Sequence, residues 1–325
     1  MKVCVYGAGA IGSLIAARLA RVPDVEVSVI ARDAQLAAIH EHGLRMADDG
    51  RDLAVRVRAT DDPATLGEQD YVFVALKQHQ FVGALDSMQA LLGAHTSVIP
   101  PTTGIPYWYF YAQSGAHQNR RIERLDPGGR LWAAIAPERV LGCVFRVAAE
   151  VVAPGVVRQD GAYARLPVGE PDGSSSARVR RLSDAMCAAG FESPVVDNIR
   201  GWLWVKMISS LCWNPVAVLT LATWGELSDS ADVIDVVRRM MEEADAVACA
   251  LGGAPPISTA ERLASARSAP HHRMSMLQDL ERGRPLEYRV LADSIEAMRA
   301  IAGLDTPTID AVLALLHMRA VKAGA

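Results

Sequence analysis

Residues 7–12 read Gly-Ala-Gly-Ala-Ile-Gly, directly after a short strand-like stretch (2–6) and directly before an alanine-rich helical run (11–21). Each glycine of such a turn has a physical task. The first permits the tight turn, the second lets the main chain approach a pyrophosphate, and the third lets the helix pack closely on the strand. The helix N-terminus then presents N–H donors and a partial positive charge to the phosphates. A lone GxGxxG says little, but inside a strand–turn–helix unit it predicts a dinucleotide cradle formed by Gly7, Ala8, Gly9, Ala10, Ile11 and Gly12.

The following hundred residues fit that unit. Stretches 25–31, 71–76 and 97–99 are short and almost continuously apolar, as parallel strands buried on both faces are, with helical patterns at 35–42 and 82–92 between them. Repetition of strand and helix predicts a Rossmann-type parallel sheet with helices on both faces. After Pro101 the texture changes to an aromatic patch, Tyr107-Trp108-Tyr109-Phe110, and then to further strands near 140–147, 155–159 and 164–168. The patch suits either a bulky pocket or a loop packed at the domain junction. From Arg178 on, the pattern is helical. A chain of 325 residues exceeds what one core usually organises. The expected layout is an α/β dinucleotide-binding domain over 1–175 and an all-α domain over 176–325, to which its residues and the resemblance they carry assign substrate binding and catalysis.

The end of the second strand bears on the cofactor. An enzyme that uses NAD usually places an acid there for the ribose hydroxyls. This chain has Ala31 at that point and then Arg32, which can pair with a 2′-phosphate. The reading is NADP(H), with an inward-turned Asp33 as the alternative.

Several functional classes are disfavoured. The net charge is −4 with both signs dispersed, so no basic face for nucleic acid is expected. No apolar run is expected to reach the roughly 20 residues of a membrane span. The chain enters its first strand at once, so no signal peptide is expected. Its five cysteines are scattered without a CxxC pair, which predicts neither disulfides nor a metal site and suits a reducing cytoplasm. Apolar helical stretches such as 233–251 suit a core or a homodimer face equally.

A second constellation lies at 202–215. Lys206, Ser210 and Asn214 are spaced i, i+4, i+8 and share one helical face, rimmed by Trp, Met, Ile and Leu. A solvated polar stripe would be wider. A lysine held partly away from water is a usable acid near neutrality, because desolvation disfavours its charged form. Further on, Ser275-Met276-Leu277-Gln278-Asp279 and Glu287 flank a Gly/Pro break.

Taken together, the N-terminal GAGAIG, Ala75-Leu76-Lys77, the Lys206–Asn214 helix and the Ser275–Glu287 spacing resemble the ketopantoate reductase (2-dehydropantoate 2-reductase) family nearly end to end. The resemblance implies NADPH-dependent reduction of a small 2-oxo acid, 2-dehydropantoate to pantoate. It assigns Lys206 as proton donor and substrate contact, and Glu287 as an active-site glutamate near the cofactor. It makes Lys77 and Thr103 cofactor contacts, and Ser210, Asn214 and Ser275 substrate contacts. Two positions depart from the family pattern: Thr103-Gly104 stands for Asn-Gly, and Ser210 for an asparagine. Two amides have become hydroxyls, which carry fewer hydrogen-bonding groups. These departures keep two other readings open: a reductase of a different 2-oxo or 3-hydroxy acid, and an NADP(H)-binding regulatory protein with weakened turnover.

Overall fold

The computed structural model describes residues 1–48 and 51–323. Two compact units emerge: Met1–Thr102 with Pro106–Ile199, and Thr103–Ile105 with Arg200–Ala325.

The first unit runs β1 (Lys2–Tyr6), α1 (Ala10–Leu19), β2 (Glu26–Ile30), α2 (Asp33–His42), β3 (Leu44–Asp48), β4 (Arg51–Val55), β5 (Arg58–Thr60), β6 (Gln69–Val74), α3 (Gln78–Met88) and β7 (Leu92–Ile99). It continues through α4 (Arg130–Ala134), β8 (Gly142–Cys143), β9 (Arg146–Ala153), β10 (Val156–Arg165), β11 (Val168–Gly169) and α5 (Ala177–Ala188). The main sheet has the order β5-β2-β1-β6-β7, and every pair in it is parallel. This is the Rossmann-type α/β arrangement, with its topological switch point between β1 and β6.

A second, mixed sheet, β4-β3-β10-β9, was not legible in the sequence. Helix α1 explains it. Its sequence is apolar nearly all round, and Leu14, Ile15, Ala16, Ala17 and Leu19 are all 1% exposed or less. A helix without a polar face needs cover on both sides. One side packs on β1 and β2, the other on β3, β9 and β10.

The sequence reading ended the first domain at residue 175, whereas the first compact unit continues to 199. The reason is packing. Val179, Leu182, Ala185 and Met186 of α5 join the same apolar cluster as Val3, Leu14 and Phe73. The chain then returns beside 164–168 through Leu166 N donating to Glu192 O (2.7 Å) and Val196 N to Val168 O (2.8 Å).

The aromatic patch does not wall an open pocket. Tyr107, Trp108, Tyr109 and Phe110 are each 1% exposed or less. Tyr107 donates its hydroxyl to Ile135 O at 2.7 Å, its ring meets Trp132 edge-on, and Trp108 abuts Gly142. Burial pushes the Tyr107 phenol well above its ordinary pKa.

The second unit contains α6 (Ile199–Thr220), α7 (Trp224–Asp229), α8 (Ala231–Ala250), α9 (Thr259–Ser265), α10 (Ser275–Glu281), α11 (Tyr288–Ala302) and α12 (Pro307–Ala323). Capping boxes at Thr223/Glu226 and Ser258/Glu261 start α7 and α9. Glu243 of α8 accepts from Thr308 N and Ile309 N, so one carboxylate takes up two orphan donors at the start of α12. Against the sequence expectation, α6 has the length and apolarity of a membrane span, but 72% of its apolar window is buried within the protein, as in a core helix.

Candidate functional site

Register builds the candidate site of the first unit. Tyr6 pairs with Ile30 on one side and with Val74 on the other, so β1, β2 and β6 end level. The turns that follow must therefore gather at one edge of the sheet, outside the carboxyl ends, where open α/β sheets bind ligands. A cavity of about 590 Å³ lies there, lined by Tyr6 to Gly9, Ile30 to Arg32, Gln35, Ala75 to Lys77, Gln80, Gly83 and Ala84. That volume is within the roughly 300–1,000 Å³ of small-molecule and cofactor sites.

The glycines have the geometry the sequence demanded of them. Gly7 has φ +115°, a conformation that side chains other than glycine rarely adopt. A Cβ on Gly9 would meet nothing within 4 Å, so this position faces open space. A Cβ on Gly12 would collide with the Gly7 carbonyl oxygen and come within 2.8 Å of Ala75 Cβ, which makes Gly12 the close helix–strand contact. Gly9 is the N-cap of α1, and the first turn of that helix contains no acid. Its positive end is thus available to an anion.

Of the cofactor residues expected from sequence, Gly7, Ala8, Gly9, Arg32 and Lys77 line this cavity. Ala10, Ile11 and Gly12 belong to the start of α1 and are not in the lining. Asp33 is exposed, has φ +51°, and is likewise absent from the lining. Thr103 and Glu287 belong to the second unit. Sequence reasoning missed Gln35 and Gln80. Gln35 had a readable signal: it lies three residues beyond Arg32, where a helical side chain leans back over the preceding turn. Gln80 accepts a hydrogen bond from Lys77 N (3.2 Å) and so helps to start α3.

The second unit carries the other constellation. Lys206, Ser210 and Asn214 all lie on α6 and share a face, with Lys206 and Ser210 half-buried and Asn214 only 4% exposed. Around them Trp204, Val205, Met207, Ile208, Leu211 and Trp213 are at most 1% exposed, so the polar stripe is as narrow as the spacing implied. Asn214 is firmly engaged. Its Nδ2 donates to Ser210 O at 3.0 Å, and its Oδ1 accepts from Met276 N at 3.2 Å. The second bond ties the lysine helix to the first turn of α10, where Ser275 sits exposed at the start. Pro215 follows at once and cannot make the ladder bond to Leu211, so the Asn214 side chain braces α6 at its weakest point.

Glu287 is half-buried at the N-cap of α11. Tyr288, next to it, is anchored to α12 by a 2.6 Å hydrogen bond between its hydroxyl and His317 Nδ1. Thr103 lies half-buried in a short segment whose neighbour, Gly104, has φ +82°, and a Cβ on Gly104 would stand 2.5 Å from Ser294 Oγ. That serine also accepts from Ile105 N (2.9 Å), so the segment is pinned to α11. Among the described residues, no group of three or more His, Cys, Asp or Glu is gathered as a metal would require.

Known proteins match this chain over its whole length. Residues 3–105 match the family model for ketopantoate reductase PanE/ApbA, and residues 198–320 match that for the C-terminal part of the same family. A 2-dehydropantoate 2-reductase of Mesorhizobium japonicum is 42% identical over 324 residues, covering 100% of this chain and 99% of its own length. Another from Pyrococcus horikoshii is 27% identical over 309 residues, covering 94% of this chain and 93% of its own. Among solved structures, a candidate ketopantoate reductase of Ralstonia solanacearum MolK2 superposes with a TM-score of 0.90 at 35% identity, covering 99% of this chain and 98% of that one.

Proposed function

Since the chain belongs to the ketopantoate reductase family, a family of oxidoreductases, we propose that it reduces a 2-oxo acid to the 2-hydroxy acid with NADPH, converting 2-dehydropantoate to pantoate. The observation that carries the reading is the level ending of β1, β2 and β6, which collects Gly7 to Gly9, Arg32 and Lys77 around one cavity.

The residues present fit a nicotinamide dinucleotide. The open Gly9 position and the N-terminus of α1 suit a pyrophosphate. Arg32 in the lining, with Asp33 outside it, favours a 2′-phosphate over free ribose hydroxyls. Lys77 adds a second cation to the same cavity. When bound, the cofactor supplies the hydride that reduces the substrate's C2 carbonyl.

The chain's own groups do the rest. Lys206 donates a proton to the carbonyl oxygen, completing the hydroxyl. Its ammonium is worth more to the developing alkoxide than to the neutral carbonyl, so it lowers the barrier rather than merely tightening binding. The apolar rim of α6 limits water around it and strengthens that interaction. Glu287 holds and orients the lysine. The Ser210 and Ser275 hydroxyls bind the substrate's carboxylate or hydroxyl. Asn214 retains one amide hydrogen and one lone pair for substrate beyond its two internal bonds. Thr103 supplies one hydroxyl toward the cofactor.

The test is purified protein with NADPH or NADH and a panel of 2-oxo acids that includes 2-dehydropantoate, followed by nicotinamide absorbance. The expected result is turnover with 2-dehydropantoate and a preference for NADPH. Cofactor binding without turnover on any acid would instead support a regulatory protein. Turnover confined to another acid on the panel would move the substrate assignment.

A further inference from the structure

The carbonyl of Ala8, inside the glycine turn, accepts two side-chain hydrogen bonds. Gln35 Nε2 donates to it at 2.7 Å and Ser13 Oγ at 3.1 Å. Gln35 uses the other end of its amide as well: Oε1 accepts from Gly155 N at 2.7 Å. Gly155 forms the tip between β9 and β10. It has φ +72°, and a Cβ on it would stand 3.1 Å from Ala38 Cβ on α2. Its carbonyl accepts from Arg45 N at 2.8 Å, fixing the tip to β3. One partly buried glutamine therefore joins the turn that approaches the cavity to the second sheet, with main chain at both ends.

The consequence follows from peptide geometry. A trans peptide is planar, and its carbonyl and following N–H point in opposite directions. Two donors that fix the Ala8 carbonyl also fix the N–H of Gly9, the N-cap residue of α1 that faces open space in the cavity wall. Without them the peptide turns more easily, because Gly9 on its C-terminal side permits many conformations.

We propose that Gln35 is a positioning residue for cofactor binding: it locks the Ala8–Gly9 peptide so that the Gly9 N–H stays aimed for the pyrophosphate, using the β9–β10 tip as its anchor. The proposal rests on the nucleotide reading of this cavity. It predicts an effect common to NADPH and NADH, because both share the pyrophosphate and differ only at the 2′ position.

Dissociation constants for both nucleotides are measured by nicotinamide fluorescence on the full chain, beside kcat at saturating cofactor and the unliganded melting temperature. The variants are Gln35→Met, which removes donor and acceptor at similar size, and Gln35→Glu, which keeps an acceptor for Gly155 N–H but loses the donor to Ala8. Both are expected to raise Kd about tenfold, equally for the two nucleotides, with kcat within about twofold; one net hydrogen bond is of that order. Should Gln35→Met fail to fold, Gln35→Glu gives the reading. A third variant, Ser13→Ala, leaves the carbonyl a single donor. Combined with Gln35→Glu it is expected to cost more than the two single losses together. Affinities unchanged within about twofold would overturn the proposal. So would a loss confined to NADPH, since Gln35 would then touch the 2′-phosphate directly, and so would a lower melting temperature with normal affinity. If the unmutated protein bound neither nucleotide, the reading of the cavity itself would fall, whatever the variants did.

Discussion

Replacing Asn214 by alanine distinguishes a brace from a substrate contact. In the unliganded protein the side chain is 4% exposed and makes two hydrogen bonds, to Ser210 O and from Met276 N. Truncation removes both. Met276 is itself only 5% exposed, so its N–H is left buried without an acceptor, which costs about 1–3 kcal/mol. The lost bond to Ser210 adds about 0.5–1.5 kcal/mol. The expected destabilisation is therefore about 1.5–4.5 kcal/mol, at roughly 2–4 °C of melting temperature per kcal/mol for a domain of this size. Asn214→Asp is a useful contrast. It keeps the acceptor for Met276 N, near the positive end of α10, and loses only the donor, so about 1 kcal/mol is expected. Calorimetry of the unliganded protein measures both. If Asn214→Ala shifted stability by less than about 0.5 kcal/mol while KM for the 2-oxo acid rose, the brace would be refuted and the amide would serve substrate alone.

Three further outcomes follow from the same geometry. Lys206→Ala should lower kcat by about 10²–10⁴, the usual contribution of a positioned acid, and leave NADPH affinity within a few-fold; undiminished turnover would mean that another group donates the proton. Arg32→Ala should weaken NADPH by about tenfold or more and leave NADH nearly unchanged, since a charge-assisted bond to the 2′-phosphate is worth about 1.5–3 kcal/mol; equal losses for both nucleotides would remove Arg32 from specificity. The thiols should divide by burial. Desolvation pushes Cys4 up to about 12, with the Ser28 hydroxyl pulling slightly the other way, and pushes Cys212 up as well. The thiolate is the reactive form, so near pH 8 a disulfide reagent should modify the exposed Cys187 and Cys249 in the native protein and spare Cys4, Cys143 and Cys212 until it unfolds. Early labelling of Cys4 would contradict its burial.

What the sequence disclosed and what it concealed divide along the range of the interactions involved. The glycine turn, the three parallel strands behind it and the Lys206–Asn214 face are local, so glycine spacing, short continuous apolar runs and a helical period carry them. Of the expected cradle, Ala10, Ile11 and Gly12 form the first turn of α1, while Gly7, Ala8 and Gly9 line the cavity. The second sheet was hidden because β3 pairs in parallel with β10, more than a hundred residues away, and no local pattern encodes such a pairing. The one clue was the absence of a polar face on α1, which required a second cover without saying what supplied it. The aromatic patch was ambiguous between a pocket wall and a packed loop for the opposite reason. Four consecutive aromatic residues look like a pocket wall, yet an irregular segment can turn successive side chains in different directions and bury them all, and these are 1% exposed or less. Asn214 shows the limit most sharply: its side chain could be placed on the lysine face by counting, but its bond to Met276 N, 62 residues on, exists only after α6 and α10 have packed. Motif reading therefore names candidate residues, while the long-range main-chain partners of Gln35 and Asn214 become visible only in the fold.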